Sequence, residues 1–348
     1  MNEDQLKTVA KLASLFAAAA LAACLWRTAT KPVMIKGTVQ AHEETRTSDE
    51  SLEEIWDARV LTLVPAAGDG DDLIVPLPSG MRAEDVRTEN HYLSRQLWVT
   101  LRSSRSPYDK DGSEIAVNTE KVREGVSVRS DRNAISLRFG LTGLYEPTVS
   151  LADGMLHVRL TAPGETGGHV VLVDPLPQDT ETDAGQTGTG SEKADPALLT
   201  AQDLAARYEG DEHVHVYLTR LGEDWEEERA RALLQETGAD LCIRIASGET
   251  ADGDGLFTLY NDTWYLRRYT NAEFARDLTA AVAAAAKLPI AGIEPDGDDS
   301  TLLHMCEVPA VTIYLPDGPE DQLSDIAAGL KNATEQAFEI MDSTGEER

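Results

Sequence analysis

The sequence predicts an α/β domain with a mostly parallel sheet flanked by helices. A small all-β, sandwich-like domain and an N-terminal membrane anchor are expected to precede it. Three observations carry this expectation. A short uncharged run opens the chain, period-2 alternation marks the stretch up to Pro163, and apolar strands alternate with amphipathic helices beyond Gly167-Gly168.

The anchor comes first. Lys7 and Lys11 flank or precede LASLFAAAALAACLW, which holds no charge over positions 12–26. A spanning helix needs about 20 apolar residues, so the run suits the core of a signal peptide better. Leu21-Ala22-Ala23-Cys24 has the form of a bacterial lipobox, in which Cys24 would be lipidated after cleavage. An uncleaved anchor is the competing reading, and a buried soluble helix the third. Both leading readings put the rest of the chain outside the cytoplasm, tethered to a membrane through residues 1–26. Residues 27–55, with AHEETRTSDESLEE, read as an acidic linker.

Residues 56–163 read as the β domain. ARVLTLV, LWVTLR, ISLRF and MLHVRLTA alternate as half-buried strands do. TVSLADGMLHVRL predicts a hairpin with Asp153-Gly154 at its turn. Residues 168–343 read as the α/β domain. HVVLVD, HVHVYLTR, ADLCIRIA and VPAVTIYL are its expected strands. PALLTAQDLAARY, EDWEEERARALLQETG, NAEFARDLTAAVAAAAKLP and DQLSDIAAGLKNATEQAFEIM are its expected helices, with Gly238 as a stop and Asn271 as an N-cap. The long QDTETDAGQTGTGSEKAD segment follows the first strand at its carboxyl end, where open α/β sheets bind ligands.

Length and charge set bounds. A chain of 348 residues suits about two domains. A net charge of −30 repels phosphate backbones and anionic membrane surfaces, so no nucleic-acid partner is expected. Of three cysteines, Cys24 belongs to the anchor. Cys242 and Cys306 lie in or beside apolar strands and read as small buried hydrophobes, with a disulfide between them left open. No zinc-type Cys/His spacing occurs. His213 with His215, His304 with Cys306 and Glu307, and His169 are the remaining metal candidates, and all lie near strand starts.

The order of short motifs resembles the zinc-dependent N-acetylmuramoyl-L-alanine amidases, which cleave glycan from stem peptide in peptidoglycan. Asp174-Pro175, Asp183-Ala184-Gly185, Glu192-Lys193, Thr219-Arg220, Glu228-Arg229, the run Ala239-Asp240-Leu241-Cys242-Ile243-Arg244-Ile245-Ala246, and Pro309-Ala310-Val311 follow the family's series. The resemblance covers about residues 168–342. It implies a site of two His and one Glu around Zn²⁺, with a second Glu as base toward the metal-bound water. On this correspondence the His positions are Pro177 and Ala246, and the base position is Tyr314. Glu192 is the one retained ligand. Pro and Ala offer zinc no lone pair, and Tyr, with an ordinary pKa near 10, is a poor base at neutral pH.

The resemblance therefore implies an extracytoplasmic, membrane-tethered, amidase-like protein without catalysis and without a cofactor. It would bind peptidoglycan or an envelope protein, or regulate a related amidase, through the strand-end groove and the loop from Gln178 to Asp195. An active amidase with a relocated zinc site is the alternative. A third reading has the β domain, placed like the wall-targeting modules of such enzymes, doing the binding alone.

Overall fold

The computed structural model describes residues 34–36, 62–65, 70–103, 114–130, 132–165, 167–177, 195–222, 224–248, 255–262, 269–297, 301–316 and 321–343. The expected anchor with Cys24 and the expected ligand Glu192 lie outside them. Among the described residues no helix is long and apolar enough to cross a membrane.

The first part of the chain folds into β1 (Met34–Lys36), β2 (Thr62–Pro65), β3 (Leu73–Pro76), β4 (Val86–His91), β5 (Gln96–Leu101), β6 (Glu114–Val117), β7 (Val122–Ser130), β8 (Ile135–Leu141), β9 (Glu146–Ala152) and β10 (Met155–Thr161). One sheet runs β1-β9-β10-β3-β6-β2 and the other β4-β5-β8-β7. Alternation decides which side chains go inside. In β8, Ile135, Leu137, Phe139 and Leu141 are buried while Ser136, Arg138 and Gly140 are not. A slip by one residue would turn that whole set to water, so the register is fixed by burial. The inward rows of the two sheets form one apolar core, giving the expected sandwich. The predicted hairpin is β9–β10, with Asp153 and Gly154 at φ 51° and 74° between the paired Ala152 and Met155. Two left-handed residues in a two-residue loop make a type I′ turn. One difference lies upstream: β1, inside the stretch read as a linker, pairs antiparallel with β9.

The second part comprises β11 (His169–Pro175), α1 (Pro196–Arg207), β12 (Val214–Leu218), α2 (Glu227–Thr237), β13 (Leu241–Ser247), β14 (Leu256–Tyr260), α3 (Asn271–Ala286), β15 (Ile290–Pro295), α4 (Leu302–Met305), β16 (Ala310–Leu315) and α5 (Asp321–Ser343). The sheet order is β12-β11-β13-β16-β14-β15. The first four strands are parallel; β14 runs antiparallel to β16, and β15 parallel to β14. Neither β14 nor β15 is among the expected strands. LFTLY is short and follows an acidic Gly-rich stretch. IAGIEP is an edge strand with little burial, so neither shows a strong alternation. The α3 cap is also corrected. Thr270 is the N-cap, exchanging bonds with Glu273, and Asn271 is the first helical residue. The Asn271 side chain instead donates to Asn261 O and accepts from Ala310 N, tying α3 to the start of β16.

Helices cover both faces. Val171, Val173, Ile243, Ile245, Val311 and Ile313 pack toward α1, α3 and α5, while Val170, Leu172, Cys242 and Ala310 pack toward α2 and α4. Tyr92 and Leu144 of the sandwich join this second cluster. The Tyr92 hydroxyl donates to Leu218 O and accepts from Leu218 N, each at 2.9 Å. Beside it the Tyr217 hydroxyl donates to Glu146. Sandwich and α/β layer thus meet through a buried polar seam.

Burial pushes the Glu146 carboxyl above the usual carboxylate range, against the opposing pull of the Tyr217 bond, nearby His215 and Asn90. A raised carboxyl contributes stability fully below its unfolded value, and loses that contribution as pH rises through its folded value. Glu146→Gln keeps an acceptor for Tyr217 without the charge. Its melting temperature should exceed that of the parent at pH 8, with the gap closing by pH 4, as thermal unfolding at both values will show.

Candidate functional site

Parallel strands bring their carboxyl ends to one edge of the sheet, and β11 arrives there on Asp174-Pro175. Asp174 is fully buried. Its Oδ1 accepts from Thr219 Oγ1 at 2.5 Å and from Trp225 Nε1 at 2.9 Å, and its Oδ2 from Arg244 Nε at 3.0 Å. A buried carboxylate survives only when partners replace the water it has lost, and three do so here. Arg244 stands opposite Asp174 in the strand register and also reaches Glu227 with Nη2 at 3.6 Å. Burial works against the Arg244 charge. Asp174 and Glu227 outweigh it, and hold the guanidinium above the ordinary arginine range.

Arg220 makes the second node. It is 1% exposed. Its Nε donates to Pro175 O at 2.6 Å, Nη1 to Gly222 O at 2.9 Å, and Nη2 to Leu176 O at 2.9 Å and Asp195 Oδ2 at 2.5 Å. Asp195 in turn caps α1, its Oδ1 accepting from Leu198 N at 3.0 Å. One planar fork of donors therefore joins the end of β11 to the start of α1. Those are the two points between which residues 178–194 run.

Ala246 and Tyr314 are direct neighbours, paired across β13 and β16. Period-2 alternation puts both on the sheet face that carries Asp174 and Arg244. Ala246 is buried; Tyr314 is half-buried, its ring 6.1 Å from that of Phe257. Pro177 is exposed just past the end of β11. Ala246 and Tyr314 are thus paired at the carboxyl edge of the sheet, with Pro177 two residues past the end of β11. Their chemistry does not fit a zinc centre. A methyl group and a pyrrolidine ring carry no ligating lone pair, and a structural or catalytic zinc takes three or four protein ligands. Among the described residues no group of three or more His, Cys, Asp and Glu side chains is placed to hold a metal ion.

The other metal candidates lie elsewhere. His169 opens β11, stacked on Phe338 at 4.1 Å with its Nε2 3.3 Å from Asp342. His213 is exposed before β12, and His215 is half-buried near Glu146 at the sandwich seam. His304 is buried with Nε2 3.7 Å from Asp296, at the strand-start side of β16. None approaches Ala246. No local pattern in the sequence gives Thr219-Arg220 a role or groups Trp225, Arg244 and Glu227 as a set. The available signal was Arg244 itself, since a charge inside the apolar run LCIRIA requires a buried counter-ion.

No protein-family model matches the chain, and no curated protein sequence matches it. The chain is similar to the solved catalytic domain of CwlV, an N-acetylmuramoyl-L-alanine amidase from Bacillus (Paenibacillus) polymyxa var. colistinus. Identity there is 19%, covering 49% of this chain and 99% of that one, with a TM-score of 0.40. It is also similar to the N-acetylmuramoyl-L-alanine amidase of Clostridium difficile 630, at 20% identity over 51% and 100% of the two chains, TM-score 0.41. A third is the CwlD amidase of Clostridioides difficile, solved in complex with the GerS lipoprotein, at 15% identity over 50% and 100%, TM-score 0.39.

The two buried nodes give a direct expectation. Arg220→Lys keeps the charge but offers one ammonium in place of a fork, leaving buried carbonyls of Pro175 and Leu176 without donors. It should cost at least about 2 kcal/mol in urea unfolding. Asp174→Asn should cost about 3–5 kcal/mol by stranding Arg244, and pairing it with Arg244→Met should recover part of that loss.

Proposed function

We propose that this chain is an amidase-like protein of the bacterial envelope that holds peptidoglycan without cutting it. One observation supports the reading above the rest. Asp174 and Arg220 at the carboxyl edge of the sheet are each held by several buried partners, while the positions that the motif order assigns to ligands and base carry Pro177, Ala246 and Tyr314. Scaffold and chemistry have parted company.

In this reading the edge recognises glycan or stem peptide by shape and hydrogen bonding. Tyr314 and Phe257 supply an aromatic wall beside the small Ala246. Glu192 on its own would hold no metal usefully. The compartment is extracytoplasmic, with the chain tethered to the membrane through its N-terminal segment and Cys24 as the lipidated residue. The sandwich is the wall-targeting partner of the α/β layer. An envelope protein such as a related active amidase would then be regulated by sharing the same substrate.

The test uses the full purified chain with isolated sacculi and with soluble muropeptides. The expected result is co-sedimentation with sacculi and no release of stem peptide from muropeptides. Tyr314→Ala, which removes half of the aromatic wall, should lower the bound fraction at least several-fold, with thermal unfolding of the variant showing that it remains folded. Release of stem peptide would replace this reading with that of an active hydrolase whose zinc site has moved.

A further inference from the structure

Strand pairing extends the aromatic wall across the sheet. Ala246 on β13 pairs with Tyr314 on β16, Tyr314 with Phe257 on β14, and Phe257 with Gly292 on β15. Residues paired across a sheet share a face, so these four form one row on the face that carries Asp174 and Arg244. Neighbouring strands lie about 4.8 Å apart, which makes the row about 14 Å long. Its ends are small and its middle is aromatic. The Tyr314 and Phe257 side chains are half-buried, their rings 6.1 Å apart and inclined at 60°. Gly292 makes room for the second ring: a Cβ there would stand 2.7 Å from Phe257 Cε2 and 2.9 Å from Cδ2. The row holds no Asp, Glu, Lys, Arg or His. Arg244, one row inward on the same face, is already held by Asp174 at 3.0 Å and Glu227 at 3.6 Å.

We propose that this row is a subsite for an uncharged glycan strand, with Tyr314 and Phe257 taking the faces of its sugar rings and Ala246 and Gly292 leaving the ends open. This subsite rests on the reading of the edge as a wall-binding surface, and it names the half of the polymer that the edge takes. The C–H groups on the face of a pyranose ring suit the electron-rich face of an aromatic ring. Two aromatic rings in line across neighbouring strands suit a chain of sugars better than a single one. Charge decides against the stem peptide, whose carboxylates call for an available cation. The row offers none, Arg244 is neutralised, and a net charge of −30 repels an anion from the surface as a whole. A neutral sugar face meets no such penalty. Phe257 contacts the ligand in this arrangement, while Gly292 acts through Phe257 and is a positioning residue.

The full purified chain is titrated calorimetrically with a β-1,4-linked N-acetylglucosamine tetramer and, separately, with free stem peptide, beside co-sedimentation with sacculi. Saturable binding of the tetramer and none of the stem peptide is expected. Phe257→Ala is expected to weaken tetramer binding at least several-fold. Gly292→Ala, which puts a methyl group where the ring lies, is expected to weaken it as well, with thermal unfolding showing that the variant remains folded. Should Phe257→Ala fail to fold, Gly292→Ala decides. Sacculi bound while the tetramer is ignored, stem peptide bound in its place, or tetramer affinity unmoved in the folded variants overturns the subsite and leaves the wall reading standing. Binding of neither sacculi nor tetramer overturns both.

Discussion

The strand-end architecture depends on two buried charges being satisfied at once. Asp174 must find donors for both oxygens, and Arg220 must find acceptors for its fork. The low dielectric around them makes each unpaired group costly, so the partners are as constrained as the charges. Thr219 and Trp225 must lie beyond β12, Arg244 must face inward on β13, and Asp195 must begin α1. The end of β11 is thereby held in one position relative to three other elements. This is a polar lock on a sheet otherwise packed mainly through apolar side chains.

That lock fixes the edge through side chains other than Pro177, Ala246 and Tyr314. In a zinc enzyme the metal helps to draw ligand-bearing strand ends together, and its removal releases them. Here Arg220 and Asp174 tie those ends without any contribution from Pro177, Ala246 or Tyr314. Pro177, Ala246 and Tyr314 are therefore not what holds the edge. Arg244 contributes a fixed positive charge on the same sheet face, two residues before Ala246, though Asp174 and Glu227 neutralise it.

Much of this was legible in sequence, for identifiable reasons. Strands such as β8 and the β9–β10 hairpin are governed by local alternation and by Asp153-Gly154, both visible in a short window. The parallel strands read as apolar runs because both faces are covered. β14 and β15 escaped because their pairing is with distant or edge partners rather than with a local pattern. The juxtaposition of Ala246 and Tyr314 followed from motif order. The network around Asp174 did not, because Asp174, Thr219, Trp225, Glu227 and Arg244 come from separate elements and only folding converges them. Asn271 shows the same limit: its type signals a cap, while its tertiary bonds to Asn261 and Ala310 assign it elsewhere.

The polar lock around Asp174 and Arg220 is expected to hold the edge without help from a metal. Thermal unfolding of the full chain with added zinc, set against the chain treated with a chelator, tests this most directly, because a ligand that binds only the folded state raises its melting temperature. The account predicts superimposable transitions under the two conditions. A melting temperature that rises with zinc and falls with chelator would contradict it.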